Sequence, residues 1–198
     1  WWQRPQAARV RLLGTHIAHA GILVLLVGHV LTTTLVDRTD PSNFVTLERD
    51  VPTQHQGMEL VFTGVEVLSA DEEGYGYRIG DGYVGVVIEA RDDGGELLGT
   101  ITPGMLRFDS PSGMVSARSE VDRLTEVTGD MIVILDLLQS NELLSSMILG
   151  QTDDVSEVRV TVHRLQGSHL VWAGWLMVVI GSAFASLPTR VTEPSEDE

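Results

Sequence analysis

Residues 12–29 read Leu-Leu-Gly-Thr-His-Ile-Ala-His-Ala-Gly-Ile-Leu-Val-Leu-Leu-Val-Gly-His, and this stretch decides the fold. It belongs to an uncharged run from Leu12 to Val36, and a second uncharged run extends from Leu165 to Thr189. Each run exceeds the roughly 20 residues that a helix needs to cross about 30 Å of hydrocarbon. We therefore predict an α+β membrane protein with two transmembrane helices, at residues 12–36 and 169–187.

The flanks of the first run predict its orientation. The run continues through residues 23–27 without the small-residue cleavage site of a secretory signal, so we expect a retained anchor. Arg4, Arg9 and Arg11 precede it with no acidic residue among them, and positive flanks stay in the cytoplasm. The prediction is a cytoplasmic segment at residues 1–11, an extracytoplasmic domain at 37–168 and a cytoplasmic acidic tail at 188–198 of a multi-pass cell-membrane protein.

The middle domain has the pattern of an all-β fold, either a small barrel or a sandwich. Short apolar and β-branched runs alternate with Gly, Pro and Asp clusters. Val158, Val160 and Val162 alternate with polar residues, which predicts one buried face and places His163 on the wet face. Residues 143–149 fit either a short helix or another strand. The predicted strands are Phe44–Glu48, Met58–Leu68, Tyr83–Ala90, Leu97–Thr102, Met114–Ser119, Met131–Leu138 and Val155–Arg164.

Composition excludes several classes of function. The chain has no cysteine, so disulfides, thiolate metal sites and cysteine nucleophiles are excluded. Its net charge is −15, which repels nucleic acid, and we expect no nucleic-acid partner. The acidic groups at residues 71–73, 92–93 and 153–154 lie in predicted turns and fit a solvated surface better than a calcium or catalytic site. No GxSxG elbow is present, so no catalytic residue is assigned.

The first span contains His16, His19 and His29, and ionisable groups at membrane depth are candidate functional residues. His16 and His19 are one turn apart on one helix face, whereas His29 lies about 15 Å beyond His19 at a rise of 1.5 Å per residue. Haem requires axial ligands on opposite sides of the macrocycle, so a haem on His19 needs a histidine from another helix. Hydrogen bonding to neighbouring helices is the alternative role for these side chains.

Small residues recur along both predicted spans. Gly14, Gly21 and Gly28 are seven residues apart, and Gly174 and Gly181 repeat this spacing in the second span. Such a stripe lets another helix approach closely. Because two spans offer few partners, we expect the chain to belong to a larger membrane assembly.

The first span also resembles part of a known family. Arg11-Leu-Leu-Gly14, followed by His16-Ile-Ala-His-Ala-Gly21 and Gly28, is similar to the span pattern of the cytochrome c-type biogenesis protein CcmF, the membrane haem lyase subunit. His19 falls on the histidine that ligates a transmembrane b-type haem in that family. This part of the resemblance concerns the predicted membrane helix.

Later stretches carry the same resemblance, which covers nearly the whole chain. Ile101-Thr-Pro-Gly-Met-Leu-Arg-Phe108 and Gly129-Asp-Met-Ile-Val-Ile-Leu135 look like the family's Pro-x-x-Arg-x-Tyr and Asp-Leu-Tyr-Val-type stretches in its outer β-domain. The strand at 158–162, leading into Leu170-Val-Trp-Ala-Gly-Trp-Leu-Met177 and Gly181, looks like its closing strand and last span. Gln166-Gly-Ser168 departs from the Asn-Pro that usually precedes that span.

The resemblance implies a role in cytochrome c maturation. The chain would help a membrane haem lyase attach haem to exported apocytochrome c, with His19 as an axial ligand to the iron of a haem b and a second ligand from another helix or subunit. His29 and His169 are additional candidate haem ligands. Implied partners are the remainder of the lyase or other maturation subunits, apocytochrome c and membrane lipid.

This chain lacks the family's tryptophan-rich haem-handling loop, its external haem-ligating histidines and its other transmembrane-haem histidine. The resemblance therefore implies a carboxy-terminal portion whose remainder lies upstream or on a separate subunit, and a first residue of Trp rather than Met fits this expectation. Two alternatives stay open. One is a non-enzymatic, membrane-tethered β-domain that serves as an assembly or binding module, and the other is a ResB-type subunit of another cytochrome c system.

The acidic, lysine-free composition predicts a halophilic protein. High salt screens charge repulsion to a few ångströms, so we expect the folded signal to fall when the protein is diluted into low salt. Circular dichroism across a salt series measures this signal. A folded signal that is indifferent to salt would contradict the hypothesis.

Overall fold

The computed structural model describes residues 6–34, 36–76 and 78–187. Helices in this part of the chain are α1 (Gln6–His29), α2 (Leu137–Leu149) and α3 (Ser168–Ala185). The chain divides into a helical unit, formed by the segments on either side of residues 37–165, and a β unit, formed by residues 37–165. Helices α1 and α3 belong to the helical unit, and α2 belongs to the β unit.

Helices α1 and α3 are antiparallel and meet through their glycines. Gly14 lies against Gly181, Gly21 against Gly174, and Gly28 against the backbone of Val171. A Cβ atom added at Gly174 would lie 2.5 Å from the backbone nitrogen of Leu25, closer than packed atoms allow. The glycines therefore permit direct contact between the two backbones, as small-residue stripes do in membrane helix pairs.

The glycine stripes therefore have their helix partners within this chain and are not evidence for a larger assembly. The two stripes face each other within the chain, because each exposes backbone where the other does. Arg11 adds a polar contact at one end of the pair, where its Nε donates to the carbonyl oxygen of Ala185 at 3.2 Å. A guanidinium at a helix C-terminus also interacts favourably with the helix dipole.

The helices are longer at their amino-terminal ends than the predicted spans. Helix α1 begins at Gln6 and continues beyond His29 as a π turn (Val30–Thr34), and α3 begins at Ser168 and ends at Ala185. Two segments, Ala8–Thr34 and Ser168–Ala185, are long and apolar enough to cross a membrane by length and composition. Leu35 and the predicted acidic tail lie outside the described residues.

Ten strands lie in the described part of the chain and form two sheets. Their bounds are β1 (Phe44–Glu48), β2 (Thr53–His55), β3 (Met58–Ser69), β4 (Gly82–Arg91), β5 (Leu97–Ile101), β6 (Gly104–Asp109), β7 (Val115–Glu120), β8 (Asp122–Glu126), β9 (Gly129–Leu135) and β10 (Glu157–Gln166). One sheet has the order β1-β10-β9-β8. The other has the order β2-β3-β4-β6-β7, with β5 paired to the second half of β4.

The two sheets share one apolar core. Leu47 and the valines 158, 160 and 162 of the first sheet pack in the same cluster as Phe62 and Ile88 of the second. A bridge between Arg49 and Phe62 joins the sheets beyond the end of β1, and Val121 alone connects β7 to β8 across them. The result is a curled, partly open barrel, consistent with the predicted barrel or sandwich.

The sequence patterns did not predict three short strands, β2, β6 and β8, and each omission has a local explanation. Strand β2 has three residues, and β8 is an edge strand with charged residues at its ends. Strand β6 begins at Gly104, directly after Pro103, and this Pro-Gly pair resembles a break. Glycine is needed at position 104 because a Cβ atom there would lie only 2.8 Å from the Tyr83 ring, which is too close.

The predicted strand Met131–Leu138 is wrong at its end. The strand stops at Leu135, and α2 begins at Leu137 because the Asp136 side chain accepts a hydrogen bond from the Leu138 N–H at 2.9 Å. A side-chain cap of this kind starts a helix. Residues 143–149, which fitted either a helix or a strand, are in α2.

Gly174→Val should destabilise the helical unit. The added side chain meets the α1 backbone, which cannot move aside as a side chain can, so we expect a loss of about 1–3 kcal/mol or more. Thermal unfolding followed by tryptophan fluorescence measures this loss, since Trp172 and Trp175 lie on α3. Ala173→Val, at the adjacent exposed position, is the matched control, and equal midpoints for the two variants would contradict the packing role.

Candidate functional site

The face of α1 that is turned away from α3, which we call the outer face of α1, carries two histidines. His16 and His19 lie on the side of the helix opposite to Gly14 and Gly21, because each residue advances about 100° around an α-helix. Both side chains are exposed on the helical unit, whereas the glycine side is covered by α3. The two imidazoles therefore project away from the helix pair.

Each imidazole is oriented by its own helix. The Nδ1 atom of His16 lies 2.7 Å from the carbonyl oxygen of Leu12, and Nδ1 of His19 lies 2.7 Å from that of Thr15. A carbonyl oxygen only accepts, so Nδ1 is the donor in both rings. The neutral ring then carries its lone pair on Nε2, which is the arrangement of a histidine that binds a metal through Nε2 and is oriented through Nδ1.

The surroundings of these histidines are apolar. Leu23 and Leu26 share the outer face of α1 and are 66% and 51% exposed, and Val30 continues the same side. An imidazole is costly on a surface of this kind at membrane depth unless it has a polar partner. The outer face thus has the composition of a surface covered by another helix or by a largely apolar ligand.

The other candidate haem ligands lie elsewhere. Gly28 contacts Leu170 and Val171, so His29 and His169 lie at the same end of the helical unit, about 15 Å along α1 from His19. His169 is five residues before Gly174, which places it on the side of α3 turned away from α1. The structure brings His16 and His19 to one face, but it does not bring His29 or His169 to them.

His163 corrects a prediction, because it does not face solvent. Its side chain is on the β10 face opposite to the core valines, yet the residue is only 9% exposed, and its Nδ1 makes no hydrogen bond with a described residue. Burial, and then the nearby charge of Arg38, lower the pKa of His163 below its ordinary value. Strand alternation indicated the face but could not show that this face is covered.

His55 is a second histidine of the β unit. It is the last residue of β2 and is half-buried. Burial lowers the pKa of His55, and the charge of Arg164 adds to the effect. Both His55 and His163 belong to the β unit.

Asp92 and Tyr83 are polar residues of the β unit that have structural roles. The Asp92 carboxylate accepts hydrogen bonds from the backbone N–H groups of Gly94 and Glu96, at 2.9 and 2.8 Å, and so forms the turn between β4 and β5. Burial raises the pKa of Tyr83 to about 12, and its hydroxyl donates to the carbonyl oxygen of Thr102. Within the described residues, no three His, Asp or Glu side chains gather as they would around a metal ion.

Comparison with known proteins gives one informative likeness. No protein-family model matches the sequence, and no curated protein matches it. The chain is similar to a solved structure described as cytochrome c haem lyase CcmF, with a TM-score of 0.59 and 15% sequence identity over 94% of this chain. The match covers 26% of that protein, so this chain spans about a quarter of its length. At this identity the likeness shows a CcmF-like fold.

The buried histidines predict a pH dependence of the β unit. The pKa values of His163 and His55 in the folded state are lowered from 6.5. As the pH falls below about 6.5, the unfolded chain therefore binds more protons than the folded chain does. The free energy of unfolding should therefore be higher at about pH 7.5, where both rings are neutral in either state, and should fall towards about pH 5.5. Urea midpoints from far-ultraviolet circular dichroism measure this change.

His163→Gln should weaken that pH dependence, since glutamine does not titrate. His16→Gln, outside the β unit, is the control and should leave the difference between the two midpoints unchanged. An equal pH dependence in His163→Gln and the wild type would show that His163 does not contribute.

Proposed function

We propose that this chain works in cytochrome c maturation, as a membrane part of a haem lyase that helps attach haem to exported apocytochrome c. The observation that carries the proposal is the outward-facing, Nδ1-oriented imidazole of His19 on an apolar helix face of a CcmF-like fold. His19 occupies the position at which the sequence resemblance places an axial ligand. The likeness of the fold to CcmF supports the assignment to cytochrome c maturation, and the orientation of the His19 ring supports its role as a haem ligand.

The residues around His19 fit a b-type haem. The Nε2 lone pair suits an axial ligand, and the hydrogen bond from Nδ1 to the Thr15 carbonyl would hold the ring in place. Leu23 and Leu26 offer apolar contacts for a macrocycle. Haem bound here would supply electron transfer or structural support, while the chain's own residues would orient the ligand and exclude water.

The second axial ligand belongs to another helix or subunit in this proposal. His16 lies on the same face as His19 and cannot reach the opposite side of a macrocycle held there. His29 and His169 lie at the far end of the helical unit, so neither can share an iron with His19. The remainder of the lyase, or another maturation subunit, would supply that histidine.

We place α1 and α3 across the cell membrane, with both termini in the cytoplasm and the β unit outside. The arginines before α1 support this direction through the positive-inside rule. Lipid would contact the apolar helix surfaces that no other subunit covers. Exported apocytochrome c would then meet the β unit on the outer side.

A non-enzymatic binding module is the second candidate function. The specific observation in its favour is that the β unit has its own apolar core. In this alternative the histidines of α1 pack against other helices, and no haem depends on them. A ResB-type subunit also has a β-domain between spans, and a substitution of His19 would not distinguish it from the other candidates.

His19→Ala should abolish a b-type haem signal. The measurement is the absorption spectrum, oxidised and dithionite-reduced, of the protein purified in detergent with its native membrane partners. We expect a six-coordinate haem in the wild type, because two histidines would complete the coordination.

His16→Ala is the matched control, since His16 has the same exposure and the same Nδ1 hydrogen bond one turn away. It should keep the haem signal. A complex without haem in the wild type would favour the binding module, and loss of haem in His16→Ala but not in His19→Ala would overturn the ligand assignment.

A further inference from the structure

Strand β7 forms the last strand of its sheet and contributes little to the core. It pairs with β6 in an unbroken register from Gly104↔Glu120 to Asp109↔Val115. The side chains from Val115 to Ser119 are exposed on both faces of the sheet, whereas most strands of this sheet bury one face. Among the described residues, no strand pairs with the other side of β7.

The hydrogen-bonding direction of β7 follows from its neighbour. The Arg107 carbonyl accepts from the Asp81 N–H, so the backbone of Arg107 points away from β7. Backbone direction alternates along a strand, and therefore Leu106 and Phe108 point towards β7 and pair with Arg118 and Ser116. In β7 the alternating residues Val115, Ala117 and Ser119 then direct their N–H and C=O groups outwards.

Edge strands are normally protected against pairing with other chains. Common devices are proline, charged side chains such as lysine, a bulge or a covering segment. Strand β7 contains no proline, and its register with β6 is continuous. Its charged residues are Arg118 and Glu120, whose backbone groups pair with β6, and the Glu120 carboxylate is already paired with Arg78. Its outward backbone groups are thus arranged as a template for another extended chain.

A groove beside β7 can receive side chains from such a strand. Its apolar lining comes from Ile79, Leu106 and Val121, and its polar lining comes from Arg78, Arg118, Ser119 and Glu120. Arg78 is paired with Glu120 at 3.2 Å and lies over the Tyr83 ring. Arg118 makes no ion pair within the described residues. The groove therefore offers apolar contact together with one positive charge that has no acidic partner in the described part of the chain.

We propose that β7 binds an extended segment of a partner polypeptide by strand addition. Backbone hydrogen bonds to Val115, Ala117 and Ser119 would provide affinity, and alternate side chains, apolar or acidic, would enter the groove. The identity of the partner rests on the proposed function, which assigns it as an unfolded segment of haem-free apocytochrome c. An unfolded chain suits this edge because its own backbone groups are not already paired.

Ala117→Pro tests the proposal with little disturbance of β6. Proline removes the outward N–H of residue 117, and its ring blocks an approaching strand, while the β6–β7 hydrogen bonds do not use this N–H. Ala117→Val is the matched control, because it keeps the N–H and favours a strand. The probe is fluorescently labelled, reduced, haem-free cytochrome c, titrated by anisotropy against the full chain in lipid nanodiscs.

We expect Ala117→Pro to weaken binding by about tenfold or more and Ala117→Val to bind like the wild type. Hydrogen exchange gives a second readout that side-chain contacts alone would not move. Bound probe should slow exchange at the amides of Val115, Ala117 and Ser119, whereas those of Ser116 and Arg118 are already paired with β6.

Three outcomes would overturn the proposal. These are equal binding by a folded Ala117→Pro variant, no binding of the probe to the wild type, and concentration-dependent self-association that Ala117→Pro abolishes, which would assign the edge to a second copy. The test is separable from the haem assay. A wild type that holds haem through His19 but binds the probe without β7 would contradict only the strand-addition proposal.

Discussion

The direct backbone contact between α1 and α3 is the constraint on which the arrangement of the candidate histidines, His16 and His19, depends. Because the glycines of one helix face the glycines of the other, there is no room for a side chain at Gly14, Gly21 or Gly28. The imidazoles of His16 and His19 consequently lie on the opposite side, where their own helix orients them through Nδ1. The same contact that joins the pair thus leaves both rings available to a group outside it.

The β unit is organised on a different principle. Its core comes from alternating apolar residues of two sheets, and its acidic side chains mostly shape turns or remain at the surface. The chemistry proposed for the chain therefore belongs to the helical unit, whereas recognition of a polypeptide belongs to the β unit. This division fits the proposed function, in which the helical unit would hold a haem and the β unit would meet apocytochrome c.

Much of the fold could be predicted from residue patterns, because long uncharged runs and strict alternation are strong local signals. Strand β1 has the predicted bounds, and the valines of β10 are buried as expected. Tertiary contacts account for the failures. The burial of His163 depends on what covers the second face of β10, and the pairing of the glycine stripes depends on which helix lies opposite. His19 was indicated by resemblance, but only the structure shows that its ring projects away from α3 and that His16 has the same geometry.

The one-residue link at Val121 has a mechanical consequence. It carries the chain from β7 in one sheet to β8 in the other, and so has almost no slack. A chain that pulls on β7 would transmit the load to β8 and its pairing with β9, rather than dissipate it in a loop. Strand β7 is in this sense mechanically coupled to the sheet on the other side of the barrel.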